Sequence, residues 1–186
     1  NKIDDNAIFL QGFSSVVDID HGNKFYDYHI GIELYRFYQS SEIEIKNNVF
    51  YNASLQSGID FTGTAILMNN KIPISKIANG LIENNDIGVW ANPNYFQPRR
   101  GIHLGNTGGF TIADNRIKFN VETIPSVEYR GIRLENSGET IIKDNTVENK
   151  SEVDDLGYLL TGMRIDNSVS TQISCNSLAR LGFGFH

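Results

Sequence analysis

A charged or polar residue recurs at one position of a repeated strand pattern. The pattern is Gly-apolar-x-apolar, and its x positions hold Glu33, Asp60, His103, Arg133 and Arg164. In a strand, the side chain at x points away from the face that carries its two apolar neighbours. The spacing therefore predicts an outward column of chemically capable side chains. Stacked carboxylates can bind Ca²⁺ or share a proton, an imidazole can transfer a proton near neutral pH, and arginines can neutralise a uronate or a sulfate.

Two interpretations of this column stay open. In the first, Glu33, Asp60 and His103 are catalytic candidates, and Arg133 and Arg164 bind a ligand. In the second, the column is a solvated face held by ion pairs with the next outward positions, which hold Tyr35, Thr62, Gly105, Glu135 and Asp166. Arg133 would then lie near Asp166, and Arg164 near Glu135. Such pairs contribute only about 0.2–1 kcal/mol each.

A second group of candidates lies in the segment "GVWANPNYFQPRR". It holds Trp90, Tyr95, Phe96, Arg99 and Arg100. Exposed aromatic rings beside basic groups suit stacking on sugar rings and contact with acidic substituents. The alternative is that the three aromatic residues pack on adjacent loops as a small core of their own. On the first interpretation, these five residues bind a ligand.

The residues above must be positioned by a repeated element. Apolar residues alternate at period two within each repeat, which is typical of strands. Short strands repeated in this way predict one coil of a parallel β-solenoid per repeat. The interval from the strand glycine to a corner asparagine is constant in three successive repeats: Gly101 to Asn115, Gly131 to Asn145 and Gly162 to Asn176. The segments that lead to the next glycine are nearly equal in length, so we expect three loops side by side, at 88–100, 118–130 and 148–161.

The asparagines and glycines of the repeat are interpreted as architectural. An Ile-x-x-Asn-x-apolar signature has its Asn at positions 48, 70, 85, 115, 145 and 176. Asparagine tolerates left-handed backbone at a corner, and its amide can pair with the asparagine of the next coil. We expect an amide ladder there and not a row of ligand groups, and we expect the repeated glycines to be turn residues.

The pattern Gly-Ile-x-Leu…Ser/Thr…Ile-x-x-Asn-x-Ile resembles the right-handed parallel β-helix repeat of pectin-lyase-like proteins, over residues 31–178. The ending "ISCNSL…LGFGF" is similar to β-helix segments of large secreted proteins of the Bacteroidetes type. The resemblance implies an all-β solenoid of about six to seven coils. It also implies that any polysaccharide chemistry lies on the outward sheet. The implied location is secreted or cell-surface, in a bacterium.

The motifs of the corresponding enzymes are not found. The outward strands show no Gly-His-Gly and no Asp-Asp pair, and the chain has no Asp-Pro-His. No acidic calcium triplet with an arginine can be matched residue by residue. The triplet Arg116-Ile117-Lys118 lies at the asparagine corner, outside a catalytic context. No catalytic assignment is therefore carried over from the resemblance.

Two regions fit the repeat less well, although we expect a single domain over residues 1–186. Asn70 and Asn85 are too close along the chain to enclose a full coil, which predicts an irregular turn or insertion around "NNKIPISKIANG". Residues 1–30 predict an irregular first coil with a strand at Ala7 to Leu10, and residues 179–186 the start of a further coil. No polar cap closes either end, so we expect the chain to be a fragment of a longer β-helix.

Composition excludes several classes of function. The net charge of −6, from 16 basic and 22 acidic residues, argues against a nucleic-acid surface. No apolar run is long enough to span a membrane, and no phosphate-binding glycine loop is present. Four histidines and one cysteine, Cys175, without ligand spacing predict no metal site, although a lyase would bring Ca²⁺.

Three functions remain as hypotheses. The leading one is a surface module that binds carbohydrate or a protein partner along its long face. The second is a polysaccharide lyase or glycoside hydrolase acting on an acidic polysaccharide, with His103 as base or acid. The third is a passive stalk or the cargo of a bacterial secretion system. Each hypothesis predicts a different use of the outward column and of the loops.

Overall fold

The computed structural model describes residues 6–12, 16–26, 28, 30–51, 63–74, 77–90, 99–121, 128–151 and 159–186. Within these residues the regular elements are all β-strands, and they form three sheets. Each strand pairs in parallel with its equivalents in the neighbouring coils. No helix in this part of the chain is long and apolar enough to cross a membrane.

Three strands make one coil, one strand in each sheet. Sheet 1 holds β1 (Asn6–Gln11), β4 (Ile30–Tyr35), β7 (Thr64–Ile74), β10 (Arg99–Thr107), β13 (Tyr129–Glu135), β16 (Leu160–Asp166) and β19 (Phe183–Phe185). Sheet 2 holds β2 (Val16–Ile19), β5 (Glu42–Lys46), β8 (Asn79–Glu83), β11 (Phe110–Ala113), β14 (Ile141–Lys143) and β17 (Gln172–Ser174). Sheet 3 holds β3 (Lys24–Tyr26), β6 (Val49–Tyr51), β9 (Asp86–Trp90), β12 (Arg116–Asn120), β15 (Thr146–Asn149) and β18 (Ser177–Ala179).

The described strands make six coils in chain order, from coil 1 (β1, β2, β3) to coil 6 (β16, β17, β18), and β19 begins a seventh. This confirms the predicted parallel solenoid of about six to seven coils. The core runs along the axis, because the period-two pattern turns one face of every strand inward. In coil 4 the inward residues are fully buried: Ile102, Leu104, Ile112, Ile117 and Phe119.

The corner between sheets 2 and 3 carries the predicted asparagine ladder. The amide of Asn115 donates to Oδ1 of Asn145 at 3.0 Å and to the carbonyl of Ile82 at 2.8 Å. Oδ1 of Asn115 accepts from the amide and the backbone N–H of Asn85. The residue before each ladder asparagine, not the asparagine itself, adopts left-handed backbone, as Asp114 does with φ 53°. The sequence predicted left-handed backbone at the asparagine, but this conformation belongs to the preceding residue.

The sequence predicted that the repeated glycines are turn residues, but those that the structure describes, Gly31, Gly101, Gly131 and Gly162, lie inside the strands of sheet 1. A Cβ added at Gly131 would lie 2.5 Å from the carbonyl oxygen of Gly162 and 2.5 Å from Cγ1 of Val147. The next coil and the strand of sheet 3 thus approach the backbone so closely that no side chain fits. Glycine recurs there because of packing.

Coil 3 departs from the predicted register. Ile66 and Met68 of β7 pair with Ile32 and Leu34 of coil 2, in the place predicted for residues 59 and 61. Residues 52–62, with Asp60, lie outside the described residues. Asn70 lies within β7 and outside the ladder, and a register shift separates the Asn69 and Ile74 pairings with β10. The predicted irregularity near Asn70 is confirmed.

Residues 1–30 fit the solenoid better than expected where they are described. β1, β2 and β3 pair in register with β4, β5 and β6. The strand predicted at Ala7 to Leu10 is extended by one residue at each end. The polar and aromatic stretch that follows contributes Val17, Ile19 and Phe25 to the core.

Candidate functional site

The outer face of sheet 1 carries three columns of side chains. The central column holds Phe9, Glu33, Leu67, His103, Arg133 and Arg164. The second holds Gln11, Tyr35, Asn69, Gly105, Glu135 and Asp166. The third column lies on the opposite side of the central column from the second, and it includes Thr64, Arg100, Arg130 and Thr161. Charged groups concentrate in coils 4 to 6, and we call Arg100, His103, Glu128, Arg130, Arg133, Glu135, Arg164 and Asp166 the arginine cluster.

The predicted pair of stacked carboxylates is absent from the central column. Leu67 occupies the place predicted for Asp60, so the neighbour of Glu33 is apolar. His103 lies two coils from Glu33, about 10 Å at the usual strand spacing. Glu33 and His103 therefore do not converge in this column. Asp60 lies outside the described residues, so its role as a calcium or proton carboxylate stays a prediction.

The two loop arginines lie elsewhere than predicted. Both belong to the start of β10, where they pair with Tyr129 and Arg130 of β13. Arg99 is only 1% exposed, so the expectation that it contacts a ligand at the surface was wrong. Arg100 lies on the outer face, because its Nη1 is 3.2 Å from Nδ1 of His103. Tyr95, Phe96 and the side chain of Trp90 lie outside the described residues, so their ligand-binding role stays a prediction.

Ion pairs connect coils 5 and 6 within the cluster. Arg133 pairs with Glu135 at 2.7 Å and lies 3.9 Å from Asp166, so the predicted approach of Arg133 to Asp166 is confirmed. Arg164 pairs with Asp166 at 2.9 Å and with Glu128 at 3.4 Å. The predicted partner of Arg164, Glu135, is taken by Arg133 instead.

Arg130 and Glu128 were not identified from the sequence. Arg130 is 4% exposed and donates a hydrogen bond to Glu128. Burial alone would raise the pKa of the Glu128 carboxyl, but Arg130, Arg164 and Arg133 outweigh it and lower that pKa. One signal could have found this position. Arginine precedes the strand glycine in two successive repeats, at Arg100 and Arg130.

His103 is buried at the centre of the cluster, with 7% of its surface exposed. Burial lowers the pKa of its imidazole to about 3, and Arg100, Arg133 and Arg130 contribute in the same direction. The ring is therefore neutral near pH 7. Because Nδ1 faces a guanidinium donor of Arg100, the proton belongs on Nε2, which lies 3.6 Å from Oε2 of Glu135.

The cluster has more cationic than anionic groups. Four arginines face three carboxylates, on a chain whose net charge is −6. Several buried guanidinium nitrogens in it make no hydrogen bond within the described structure: Nε of Arg100, Nη1 of Arg130 and Nε of Arg133. Burial lowers the pKa of Arg100 to about 10, which still leaves it charged at neutral pH. The arrangement can attract and orient an anionic group.

No group of three or more His, Cys, Asp or Glu side chains among the described residues has the geometry to hold a metal ion. The carboxylates of the cluster are each engaged by an arginine, as Glu135 is by Arg133. Calcium binding by the described part of this face has no donor set to support it.

Comparisons with known proteins agree with the architecture. The chain matches the model of the family described as "Right handed beta helix region" over residues 1–178. No curated protein and no solved structure matches the chain. The match covers nearly the whole sequence, and the three parallel sheets and the asparagine ladder supply the expected coils. The chain belongs to the family of right-handed β-helix proteins.

Proposed function

We propose that the chain is a secreted or cell-surface module that binds an acidic carbohydrate along the outer face of sheet 1. The observation that carries this proposal is the arginine cluster on the outer face of sheet 1 of an otherwise acidic chain. Its four arginines come from three successive coils; Arg100, Arg133 and Arg164 are partly exposed and Arg130 is buried. Planar guanidinium groups bind carboxylates and sulfates through paired N–H donors. Their repeat along the axis matches a polymer that carries one anion per sugar. The extracellular location rests on that ligand, since such polymers are materials of cell surfaces and matrices.

Binding is favoured over cleavage by the state of His103. A general base needs a free nitrogen lone pair directed at the substrate. Nδ1 of His103 faces Arg100, and Nε2 is buried and directed at Glu135. The second catalytic candidate, Glu33, lies two coils away. A lyase or hydrolase acting through these residues would therefore require the cluster to rearrange.

Retention and cleavage can be tested together. The protein is run through gels containing polygalacturonate, alginate or chondroitin sulfate, and each polymer is also incubated with the protein in solution. We expect retention without chain cleavage, a fall in retention at raised salt, and loss of retention in an Arg133→Ala/Arg164→Ala double variant. Arg116→Ala is the matched control, because Arg116 is an exposed, ion-paired arginine on sheet 3.

The outcomes separate the three hypotheses. Equal retention of the double variant and the wild type would place the binding surface elsewhere. Release of unsaturated uronates or of reducing ends, lost in His103→Ala, would establish the lyase or hydrolase. A protein that neither binds nor cleaves any of the polymers would be a stalk or a secreted cargo.

A further inference from the structure

Two stacked tyrosines lie on the outer face of sheet 3, away from the arginine cluster. Tyr26 and Tyr51 are 56% and 38% exposed, and their ring centroids are 5.6 Å apart with planes 14° from parallel. The residue that pairs with Tyr51 in coil 3 is Gly88, and the next in this column is Lys118. At this position of the column, coil 3 therefore has no side chain opposite the ring face of Tyr51 that points away from Tyr26.

The missing side chain leaves a notch of defined size. A pocket opens there, lined by Tyr51, Asp86, Gly88, Lys118, Phe119, Asn120 and Lys150. Tyr51 and Lys118 are two coils apart, about 9.6 Å at the usual strand spacing. Optimal carbon–carbon contacts of about 3.5–4.0 Å on each side of an inserted ring take up about 7–8 Å of that distance. The gap accepts one ring parallel to Tyr51.

The polar groups around the notch suit hydroxyl groups. Nζ of Lys118 donates to both carboxylate oxygens of Asp86, at 3.0 and 3.3 Å. The side chain of Asp86 is 43% exposed, so its oxygens retain lone pairs that can accept from hydroxyls. Asn120 offers both a donor and an acceptor. Lys118 and Asp86 neutralise each other, so this pair offers hydrogen bonds to hydroxyl groups and carries no net charge.

We propose that the notch formed by Tyr51, Asp86, Gly88 and Lys118 binds one neutral pyranose ring of an oligosaccharide. The apolar face of the sugar stacks on Tyr51, and its hydroxyls bond to Asp86, Lys118 and Asn120. Tyr26 supports the platform from behind. This subsite lies on a different sheet from the arginine cluster and does not depend on the function proposed for that cluster.

Calorimetric titration with three neutral hexasaccharides tests the proposal: cellohexaose, xylohexaose and maltohexaose. We expect at least one of them to bind, and Tyr51→Ala to weaken its affinity by about tenfold. Gly88→Thr should weaken the same ligand at least as much, because it fills the notch and removes no side chain. Gly88 lies within a strand and outside the left-handed backbone region, so its backbone conformation is one that threonine readily adopts.

Matched controls separate this subsite from general effects. Tyr38→Ala removes another exposed tyrosine, which lies outside the notch, and should leave the affinity unchanged. Arg133→Ala should also leave the neutral ligand bound, even where it abolishes retention by acidic polymers. Unchanged melting temperatures establish that Tyr51→Ala and Gly88→Thr are folded. Wild-type affinity in both variants, or no binding of any of the three hexasaccharides by the wild type, would overturn the proposal.

Discussion

At the scale of single residues, the environment of His103 decides what the outward column can do. Three arginines surround an imidazole that is nearly excluded from water, and both effects oppose its protonation. From its sequence position alone, His103 is an acid or base near neutral pH. In the fold it is a neutral group with its Nδ1 engaged by Arg100. It therefore packs in the arginine cluster as a neutral hydrogen-bonding group.

The state of His103 predicts a pH-dependent stability. Its pKa is about 3 in the folded chain against an ordinary value of 6.5 for histidine, so between these two pH values the unfolded chain binds one proton that the folded chain does not. The free energy of unfolding should therefore fall as the pH falls from about 6.5 to 3, by up to about 1.4 kcal/mol per pH unit from this group. Above pH 6.5 the contribution is complete.

Urea denaturation at pH 7, 5.5 and 4.5 checks this prediction. The difference in unfolding free energy between the wild type and His103→Gln should shift in favour of the variant as the pH falls. His21→Gln serves as the matched control, since it removes an exposed histidine outside the arginine cluster. Parallel pH profiles for wild type and His103→Gln would show that His103 titrates normally.

At the scale of elements, two kinds of contact hold the coils in register. One is the asparagine ladder between sheets 2 and 3. The other is a second ladder, not predicted from the sequence, between sheets 1 and 2. There the hydroxyl of Ser137 donates to the carbonyl of Leu104, and that of Ser168 accepts from the N–H of Ser137. Asn136 donates to Asn106 beside it. Both corners thus satisfy buried backbone groups with short polar side chains.

Replacing a central ladder residue should cost more than replacing a terminal one. Asn115→Ala removes donors to Ile82 and Asn145 and leaves buried partners unsatisfied, so we expect a loss of about 3 kcal/mol in unfolding free energy. Asn176→Ala should cost about 1 kcal/mol, since Asn176 is only half-buried. Chemical denaturation of both variants measures the difference, and equal losses would contradict a role for burial in the ladder.

The glycines of sheet 1 predict a second contrast. Gly131→Ala should destabilise by about 1–3 kcal/mol, because the added Cβ meets backbone of the next coil. Gly105→Ala is the comparison, since its Cβ would first meet the Asn69 side chain at 3.0 Å, which can move. Thermal unfolding should separate the two variants by several degrees. Similar melting temperatures would mean that the close approach at Gly131 relaxes without cost.

At the scale of the whole molecule, each coil of a solenoid packs within itself and on its neighbouring coils. Inward residues of sheet 2 are fully buried at Ile112 and Ile142, but their equivalent Ile173 in coil 6 is 42% exposed. Burial thus decreases from the central coils towards coil 6. The arginine cluster lies on coils 4 to 6 and the notch on coils 2 to 4, so the two proposed ligand surfaces share coil 4.

Hydrogen exchange should reveal this gradient. Amides of β11 and β12 should exchange most slowly, and those of β17 and β18 much faster, because β17 and β18 each pair with one neighbouring strand only among the described residues. Native-state exchange followed by NMR or mass spectrometry measures the order. Equal protection in all four strands would indicate a single cooperative unit instead.

The sequence by itself determined the architecture, since a hydrophobic period of two and a constant interval from glycine to asparagine leave each coil only one way to bury its inward face. That interval also placed His103, Arg133 and Arg164 in one column. In coil 3 the interval from glycine to asparagine is not kept, and there the alternation of apolar residues was ambiguous. Residues 58–61 and Ile66 to Met68 both alternate, and only pairing with Ile32 and Leu34 selects the second.

Only the tertiary structure decided which side chains are charged and accessible enough to contact a ligand. Burial of Arg99, the pairing of Arg164 with Glu128, and the depressed pKa of His103 all depend on neighbours that other coils supply. The notch beside Tyr51 depends on Gly88, which pairs with it one coil on. Local sequence periodicity reports which way a side chain points. It does not report which residue of the next coil lies beside that side chain. That neighbour decides the charge state of the side chain, its exposure and the space around it.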